Sequence, residues 1–169
     1  MLFRSANAAY TAIMRGVNGT TGIGLVEVYD LDNTVDSKLA NISTRGLVQT
    51  GDNVMIGGFI LAGPTPQDIL VRAIGPSLPL TGVLADPTME LFDSNGVSVA
   101  MNDNWRDTQE ADIMATGLAP TNDAESAILQ TLSPGAYTAI VSGTNGTTGV
   151  ALVEAYNVGS ATGAAIQAP

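Results

Sequence analysis

The pattern of apolar and polar positions predicts short β-strands separated by turns. The β-prone runs lie at 45–50 (RGLVQT), 54–62 (VMIGGFILA), 69–75 (ILVRAIG), 88–93 (TMELFD), 97–103 (VSVAMND) and 126–132 (SAILQTL). Segments rich in Gly, Pro, Asn and Asp separate these runs, as turns do. Because no long helical pattern intervenes, a parallel α/β sheet is disfavoured. We predict an all-β fold, a jelly-roll-like antiparallel β-sandwich of eight to ten strands over about residues 37–158.

Three local patterns refine this prediction. The run at 69–75 is apolar almost throughout, which favours a central strand. Ser94-Asn95-Gly96 between two β-prone runs predicts a tight hairpin. The polar stretch at 104–125 predicts an irregular loop with a helical turn near 110–114, and residues 160–169 predict a flexible tail.

One segment occurs twice. Residues 9–32 read AYTAIMRGVNGTTGIGLVEVYDLD, and residues 136–159 read AYTAIVSGTNGTTGVALVEAYNVG, with fifteen of twenty-four aligned positions identical. Each copy has two β-prone runs around Asn-Gly-Thr-Thr-Gly, which predicts a β-hairpin. If Val17 pairs with Ile23, both faces of this ribbon are largely apolar. A lone two-stranded ribbon of this kind needs a core to lie on.

The repeat sets the predicted domain organisation. We expect an N-terminal β-hairpin arm at 1–36, a sandwich domain at 37–159 and a tail at 160–169. Because the second copy already completes the sandwich, the first copy is surplus to it. It can cover an edge of its own subunit, remain as an exposed stub, or pair with another subunit by strand addition.

Composition excludes several classes of function. The net charge of −10 argues against binding to nucleic acid or anionic lipid, because both require a basic surface. The absence of Cys and His removes disulfides, thiolate metal sites and the commonest general base. The longest apolar run, 54–63, is too short to cross a bilayer as a helix, so no membrane span is predicted.

The second half of the chain resembles a known kind of module. MELFDSNGVSVAMNDNW, AILQTLSPGAYTAIVSG and GVALVEAY, within residues 39–157, resemble jelly-roll-type modules that are tandemly repeated in secreted bacterial proteins. They are more distantly similar to bacterial pre-peptidase C-terminal domains. The resemblance implies export to the cell surface or beyond and a non-catalytic accessory or structural role, without implying a ligand. It also implies that the first copy is the end of a preceding module in a longer tandem protein.

Candidate catalytic groups are few. Ser77 lies outside any Gly-x-Ser-x-Gly motif and has no His to activate it, so we interpret it as a loop residue. The turn carboxylates are interpreted as one solvated acidic surface; they are Asp93, Asp103, Asp107, Asp112, Asp123 and Glu125. We therefore predict no enzyme, no catalytic residue and no cofactor.

Calcium and carbohydrate form the alternative. Six oxygen-bearing side chains in predicted loops could converge on calcium: Asp93, Asn95, Asn102, Asp103, Asp107 and Asp123. Trp105 could stack on a sugar, although a half-buried Trp beside an ion-paired Arg106 is the structural interpretation. Arg72, within an apolar strand, is expected to meet a carboxylate at a sheet edge or interface.

These patterns lead to one functional hypothesis. The chain is predicted to be an extracellular, non-enzymatic structural module whose partners are copies of itself, joined head-to-tail into a filament or array by strand addition of the N-terminal hairpin. The predicted assembly residues are Tyr10, Ile13, Met14, Val17, Ile23, Leu25, Val26, Val28 and Tyr29. The competing hypothesis is a calcium-dependent carbohydrate-binding or surface-targeting module of a larger secreted protein, with a glycan as partner.

Overall fold

The computed structural model describes residues 9–29 and 41–159. The chain divides into two compact units, Met1–Ser37 and Lys38–Pro169. The described part of the second unit contains β1 (Asn41–Val48), β2 (Met55–Leu61), β3 (Gln67–Ile74), β4 (Pro87–Asp93), β5 (Ser98–Asn102), α1 (Glu110–Ala115), β6 (Ser126–Leu132), β7 (Gly135–Gly143) and β8 (Gly149–Asn157). The predicted tail at 160–169 and the predicted domain boundary at 36/37 lie outside the described residues.

The eight strands form two antiparallel sheets. One sheet has the order β1-β8-β3-β6 and the other has the order β2-β7-β4-β5. The chain changes sheet at every connection except β4–β5, which is the topology of a jelly roll. The predicted antiparallel sandwich is therefore confirmed. The apolar run at 69–75 corresponds to β3, which lies inside its sheet as predicted.

Alternation within the strands builds the core between the sheets. In β4, Pro87, Met89 and Leu91 are buried while the residues between them are partly exposed. Similar inward positions of the other strands complete the core, including Val48, Val71, Ile128, Val141 and Val153. This is the period-2 pattern of a strand with one buried face. The β4–β5 pairing, with Met89 opposite Asn102, confirms the predicted hairpin.

A second apolar cluster lies on the other face of the sheet that contains β3. It consists of Leu70, Trp105, Ile113, Leu118, Ala127 and Tyr156. Residues 104–125, predicted as an irregular polar loop, contribute three of these side chains, and α1 lies where a helical turn was predicted. The loop thus covers a sheet face that would otherwise be exposed, so β3 and β8 are buried on both faces.

The predicted C-terminal hairpin is wrong. β7 pairs with β2 and β4, whereas β8 pairs with β1 and β3, so the two strands lie in different sheets. The physical reason is burial, because β8 places Val153 in the core between the sheets and Tyr156 in the second cluster. The second cluster covers the sheet that contains β3, so β8 gains cover on both faces by pairing in that sheet. The Asn-Gly turn is therefore a connection between sheets.

The first unit carries the other copy of the repeat. No strand is assigned within residues 9–29, so the predicted strand pairing is not formed in this described part. A 3₁₀ turn occupies Val17–Gly19, and Thr20 donates its backbone N–H to the Val17 carbonyl at 3.2 Å. Met14 packs over Gly24, so the two halves of the segment approach one another.

Candidate assembly segment

The two copies of the repeat share one turn conformation. Asn18 and Asn145 both have φ 56°, and the glycines that follow, Gly19 and Gly146, both have φ 74°. Asn and Gly are the residues that adopt positive φ most readily. In each copy the next Thr donates its Oγ1 hydroxyl to the carbonyl three residues earlier at 3.0 Å. The turn is thus specified by its own sequence.

The side chains around this turn differ sharply in exposure between the copies. All nine predicted assembly residues are exposed, from 50% at Val26 to 88% at Ile23. Their aligned counterparts in the jelly roll include Val141, Val153 and Tyr156, which are 0%, 4% and 3% exposed. One sequence therefore supplies core residues in the second copy and a large apolar surface in the first. Exposed apolar surface of this extent commonly marks an interaction site.

A Tyr–Glu pair is also repeated. The Tyr29 hydroxyl donates to Glu27 at 3.0 Å, and the Tyr156 hydroxyl donates to Glu154 at 2.8 Å. The hydrogen bond to Glu27, with the carboxylate charge, raises the pKa of Tyr29. Burial is the main cause that raises the pKa of Tyr156 to about 12, and its hydrogen bond to Glu154 adds to the effect.

In the second copy an arginine completes this pair. Arg72 of β3 donates to Glu154 at 2.5 Å, to the Tyr156 hydroxyl at 3.0 Å and to the Leu118 carbonyl at 2.5 Å. Its guanidinium lies 4.9 Å from the centroid of the Tyr156 ring. The predicted Arg72–carboxylate contact exists, but it joins two interior strands and not a sheet edge. The partly buried pair is held by these additional hydrogen bonds.

Glu125 is the main polar residue whose role the sequence concealed. It is fully buried, and its carboxylate accepts from the backbone N–H groups of Gly75 (3.1 Å), Ser77 (2.8 Å) and Asn122 (3.3 Å) and from the Ser77 hydroxyl (2.8 Å). The interpretation of Glu125 as a solvated carboxylate is wrong, because two loops meet here and need an internal acceptor. Ser77 is a loop residue within this network, and Thr121 also contacts its hydroxyl at 2.7 Å.

The candidate calcium ligands have separate partners. Asp93 accepts from Val97 and Asn95 in the β4–β5 turn, and the bond from Val97 is the main cause that lowers its pKa. Asn102 is buried and holds the backbone of Ala127 at 2.9 Å. The remaining three candidate ligands are aspartates, and each accepts a hydrogen bond from a different side chain: Asp103 from Thr144, Asp107 from Asn104, and Asp123 from Arg106. Within residues 9–29 and 41–159, no three acidic side chains form a cluster that could hold a metal ion.

Trp105 is unsuited to stacking on a sugar. It is 1% exposed, and its indole N–H donates to the Asn122 carbonyl at 3.2 Å. Trp105 is therefore more deeply buried than the half-buried side chain predicted from the sequence. Arg106 lies 4.1 Å from the ring centroid and forms ion pairs with Asp123 at 2.6 Å and with Glu110, as predicted for this arginine.

Comparisons with known proteins add a distant structural similarity. No protein-family model matches the chain. No curated protein sequence matches it either. Among solved structures, the chain is similar to the pre-peptidase C-terminal domain of a collagenase from Bacillus anthracis, with 14% sequence identity and a TM-score of 0.45. The match covers 68% of this chain and 88% of that chain. The sandwich assignment rests on the sheet topology itself.

Among the described residues, no helix is both long enough and apolar enough to cross a bilayer.

Proposed function

We propose that the chain is an extracellular, non-enzymatic structural module that assembles head-to-tail through the segment at 9–29. The observation that carries the proposal is the contrast between the two copies of the repeat. Side chains that form core in the second copy, such as Val153, have exposed counterparts in the first, such as Val26. The first copy therefore has the composition of a buried segment, but its apolar side chains are exposed.

The energetics favour a reversible contact. Burying a Val, Leu or Ile side chain fully is worth about 1.5–3 kcal/mol, and the nine assembly residues are each half or more exposed. Their burial would then contribute on the order of 10 kcal/mol. Association and the ordering of side chains cost a comparable amount, about 4–15 kcal/mol. Assembly should therefore depend strongly on protein concentration.

The symmetry of the contact follows from its two sides. One side is the segment at 9–29, and the other is a surface of a neighbouring jelly roll, so the contact is heterologous. Heterologous contacts produce closed rings or open filaments. An open filament or array forms where the rotation between successive copies does not close a ring, and this is the assembly we propose.

The remaining chemistry supports a non-enzymatic role. The Ser77 hydroxyl is bonded to Glu125, and three backbone N–H groups also donate to that carboxylate, which fits a structural bracket. The net charge of −10 opposes contacts with nucleic acid. The calcium-dependent carbohydrate module has less support, because Trp105 is buried and the acidic side chains of the described residues bond to separate partners without forming a metal-binding cluster.

Removal of the segment tests the proposal. A variant lacking residues 1–32 should remain monomeric in light scattering, whereas the intact chain should form particles visible by electron microscopy. As a length-matched control, Ile13→Ser combined with Leu25→Ser keeps the segment and should also suppress assembly. Filaments that persist in the deletion variant, or an intact chain that stays monomeric at high concentration, would show the proposal to be wrong.

A further inference from the structure

One side of the jelly roll presents two edge strands together. β1 is the terminal strand of its sheet and β2 is the terminal strand of the other, in the described part of the chain. The two strands contact one another across the sandwich and are joined by a short turn that contains Gly51–Asn53. The outer edges of β1 and β2 therefore lie side by side.

These edges lack the features that protect edge strands. β2 (MIGGFIL) contains no charged residue and no proline, and β1 contains a single charge, Arg45. Leu47 of β1 and Ile56 and Ile60 of β2 are 59%, 58% and 69% exposed. Proteins usually blunt such edges with charges, prolines or bulges, because unpaired edges recruit further strands.

A small cleft of about 20 Å³, room for roughly one water molecule, lies beside β1 and β2. This cleft between the sheets is lined by side chains that include Ile42, Thr44, Phe59 and Val153, together with Gly57. Thr44 is small, but Val153 already fills the space beside Gly57. Side chains of an added strand would alternate between facing the sandwich and facing outward, and each half of the repeat carries apolar residues at both sets of positions.

The second copy of the repeat already pairs with these two strands from the inner side. In β7, Ile140 lies opposite Ile56 and Tyr137 lies opposite Phe59, with the two rings stacked at 5.6 Å. In β8, Val150 lies opposite Leu47. Thr50, in the β1–β2 turn, lies beside Gly146 of the β7–β8 turn. One copy of the repeat thus straddles β1 and β2, with its turn next to theirs.

We propose that residues 9–29 of a second chain straddle the same two strands from the outer side. Residues 9–16 would add to the free edge of β2, and residues 22–29 would add to the free edge of β1. This inference rests on the proposed self-assembly and names its acceptor. Each strand of the pair would then have closely similar sequences on both of its edges.

The register of the second copy, transferred to the first, matches the exposed side chains. Ile13 falls opposite Ile56, and Ile23 falls opposite Leu47. Tyr10 falls opposite Phe59, as Tyr137 does on the inner side. On β1, Glu27 falls diagonal to Arg45, within reach of an ion pair between strands. Apolar and charged positions of the segment therefore both find complementary positions on the edges.

Cysteine cross-linking tests this register directly, because the chain contains no cysteine. Four single variants are needed: Ile13→Cys, Ile23→Cys, Ile56→Cys and Leu47→Cys. They are mixed in pairs under reducing conditions and then oxidised, so that a mixed dimer can arise only between chains. The pairs 13 with 56 and 23 with 47 should cross-link roughly ten-fold more than the swapped pairs 13 with 47 and 23 with 56, since disulfides require close Cβ atoms.

The possible outcomes distinguish the proposal that β1 and β2 accept the segment from the proposal that the chain self-assembles. Assembly of the intact chain without selective cross-linking would overturn the edge proposal and leave self-assembly standing. Cross-linking of Ile13→Cys to Glu90→Cys as efficient as to Ile56→Cys would also overturn it. Ile140 of β7 lies opposite both Ile56 and Glu90, so this result would report replacement of β7 by the incoming segment. An intact chain that never assembles would refute both proposals. If a Cys variant itself fails to assemble, Ala9→Cys with Ile60→Cys reports on the same strand pair.

Discussion

Val26 and Val153 provide a matched test of what the two copies of the repeat do. They are the same residue at aligned positions, but Val26 is 50% exposed and Val153 is 4% exposed. Val153 also packs closely against β2, because a Cβ at Gly57 would lie only 2.7 Å from its Cγ1. Replacement of each valine by alanine removes identical atoms from two different environments.

The expected magnitudes follow from burial. In Val153→Ala, loss of two buried carbons at about 0.8 kcal/mol each, with a cavity contribution, should lower the free energy of unfolding by about 2–3 kcal/mol. The melting temperature should fall on the order of 10 °C for a domain of this size. In Val26→Ala, the free energy of unfolding of the jelly roll should change by less than about 0.5 kcal/mol.

Val26→Ala should instead weaken the association between chains. Half of the Val26 side chain remains to be buried, so the truncation should weaken the contact by about 0.8 kcal/mol, or roughly four-fold in the dissociation constant. Thermal unfolding is measured at a concentration too low for assembly, and sedimentation across a concentration series gives the association constant. Equal losses of melting temperature in both variants, or a change of less than about two-fold in association for Val26→Ala, would refute the reasoning.

Three further predictions concern the jelly roll. Glu125→Ala should lower the free energy of unfolding by roughly 3 kcal/mol or more in urea unfolding, because buried donors lose their acceptor. Glu125→Gln should lower it less, and equal losses of stability in the two variants would contradict the network. Because the folded-state pKa of Tyr156 is about 12 against an ordinary 10.0, its contribution to stability is complete below pH 10 and is lost as the pH rises to 12. Tyr156→Phe should therefore show a shallower decline in urea unfolding over that interval, and an unchanged slope would count against the assignment. Asn145→Ala should lower the free energy of unfolding by about 1–2 kcal/mol, measured by a thermal melt, because alanine disfavours positive φ. Asn18→Ala should leave the stability of the jelly roll unchanged, and a loss of stability in both variants would contradict the expectation that only the second copy stabilises it.

Local features of the fold could be read from the sequence because local chemistry determines them. The run at 126–132 is apolar and β-prone, and it forms β6 with the same bounds. Gly96 has φ 75°, and the turn it belongs to joins β4 and β5 as predicted. In these cases the residues that specify the element are also the residues that form it.

The pairing of β7 with β8 could not be read in the same way. An Asn-Gly turn between two apolar runs fits a hairpin in one sheet and a connection between two sheets equally well. The choice depends on β1 and β3, which enclose β8 and lie far from it in sequence: Asn41 pairs with Tyr156 and Ile74 pairs with Leu152.

The buried polar and aromatic positions were hidden for a similar reason. Glu125 lies in a polar turn whose composition resembles that of a solvated surface. Its burial arises only because the loop that contains Ser77 approaches it. Trp105, Ile113 and Leu118 are spaced without strand or helix periodicity, so their shared cluster over β3 leaves no pattern in the sequence.

The late position of the true β7–β8 segment has a consequence for folding kinetics. During synthesis, β1 to β6 are made before residues 135–157, whereas the first copy of the repeat is already present. At that stage the positions of β7, between β2 and β4, and of β8, between β1 and β3, are still empty. The first copy of the repeat has nearly the sequence that fills them. We therefore expect the first copy to compete with β7 and β8 in the final folding step. Refolding of the intact chain should be slower than refolding of the variant lacking residues 1–32, by the time needed to expel the wrong copy.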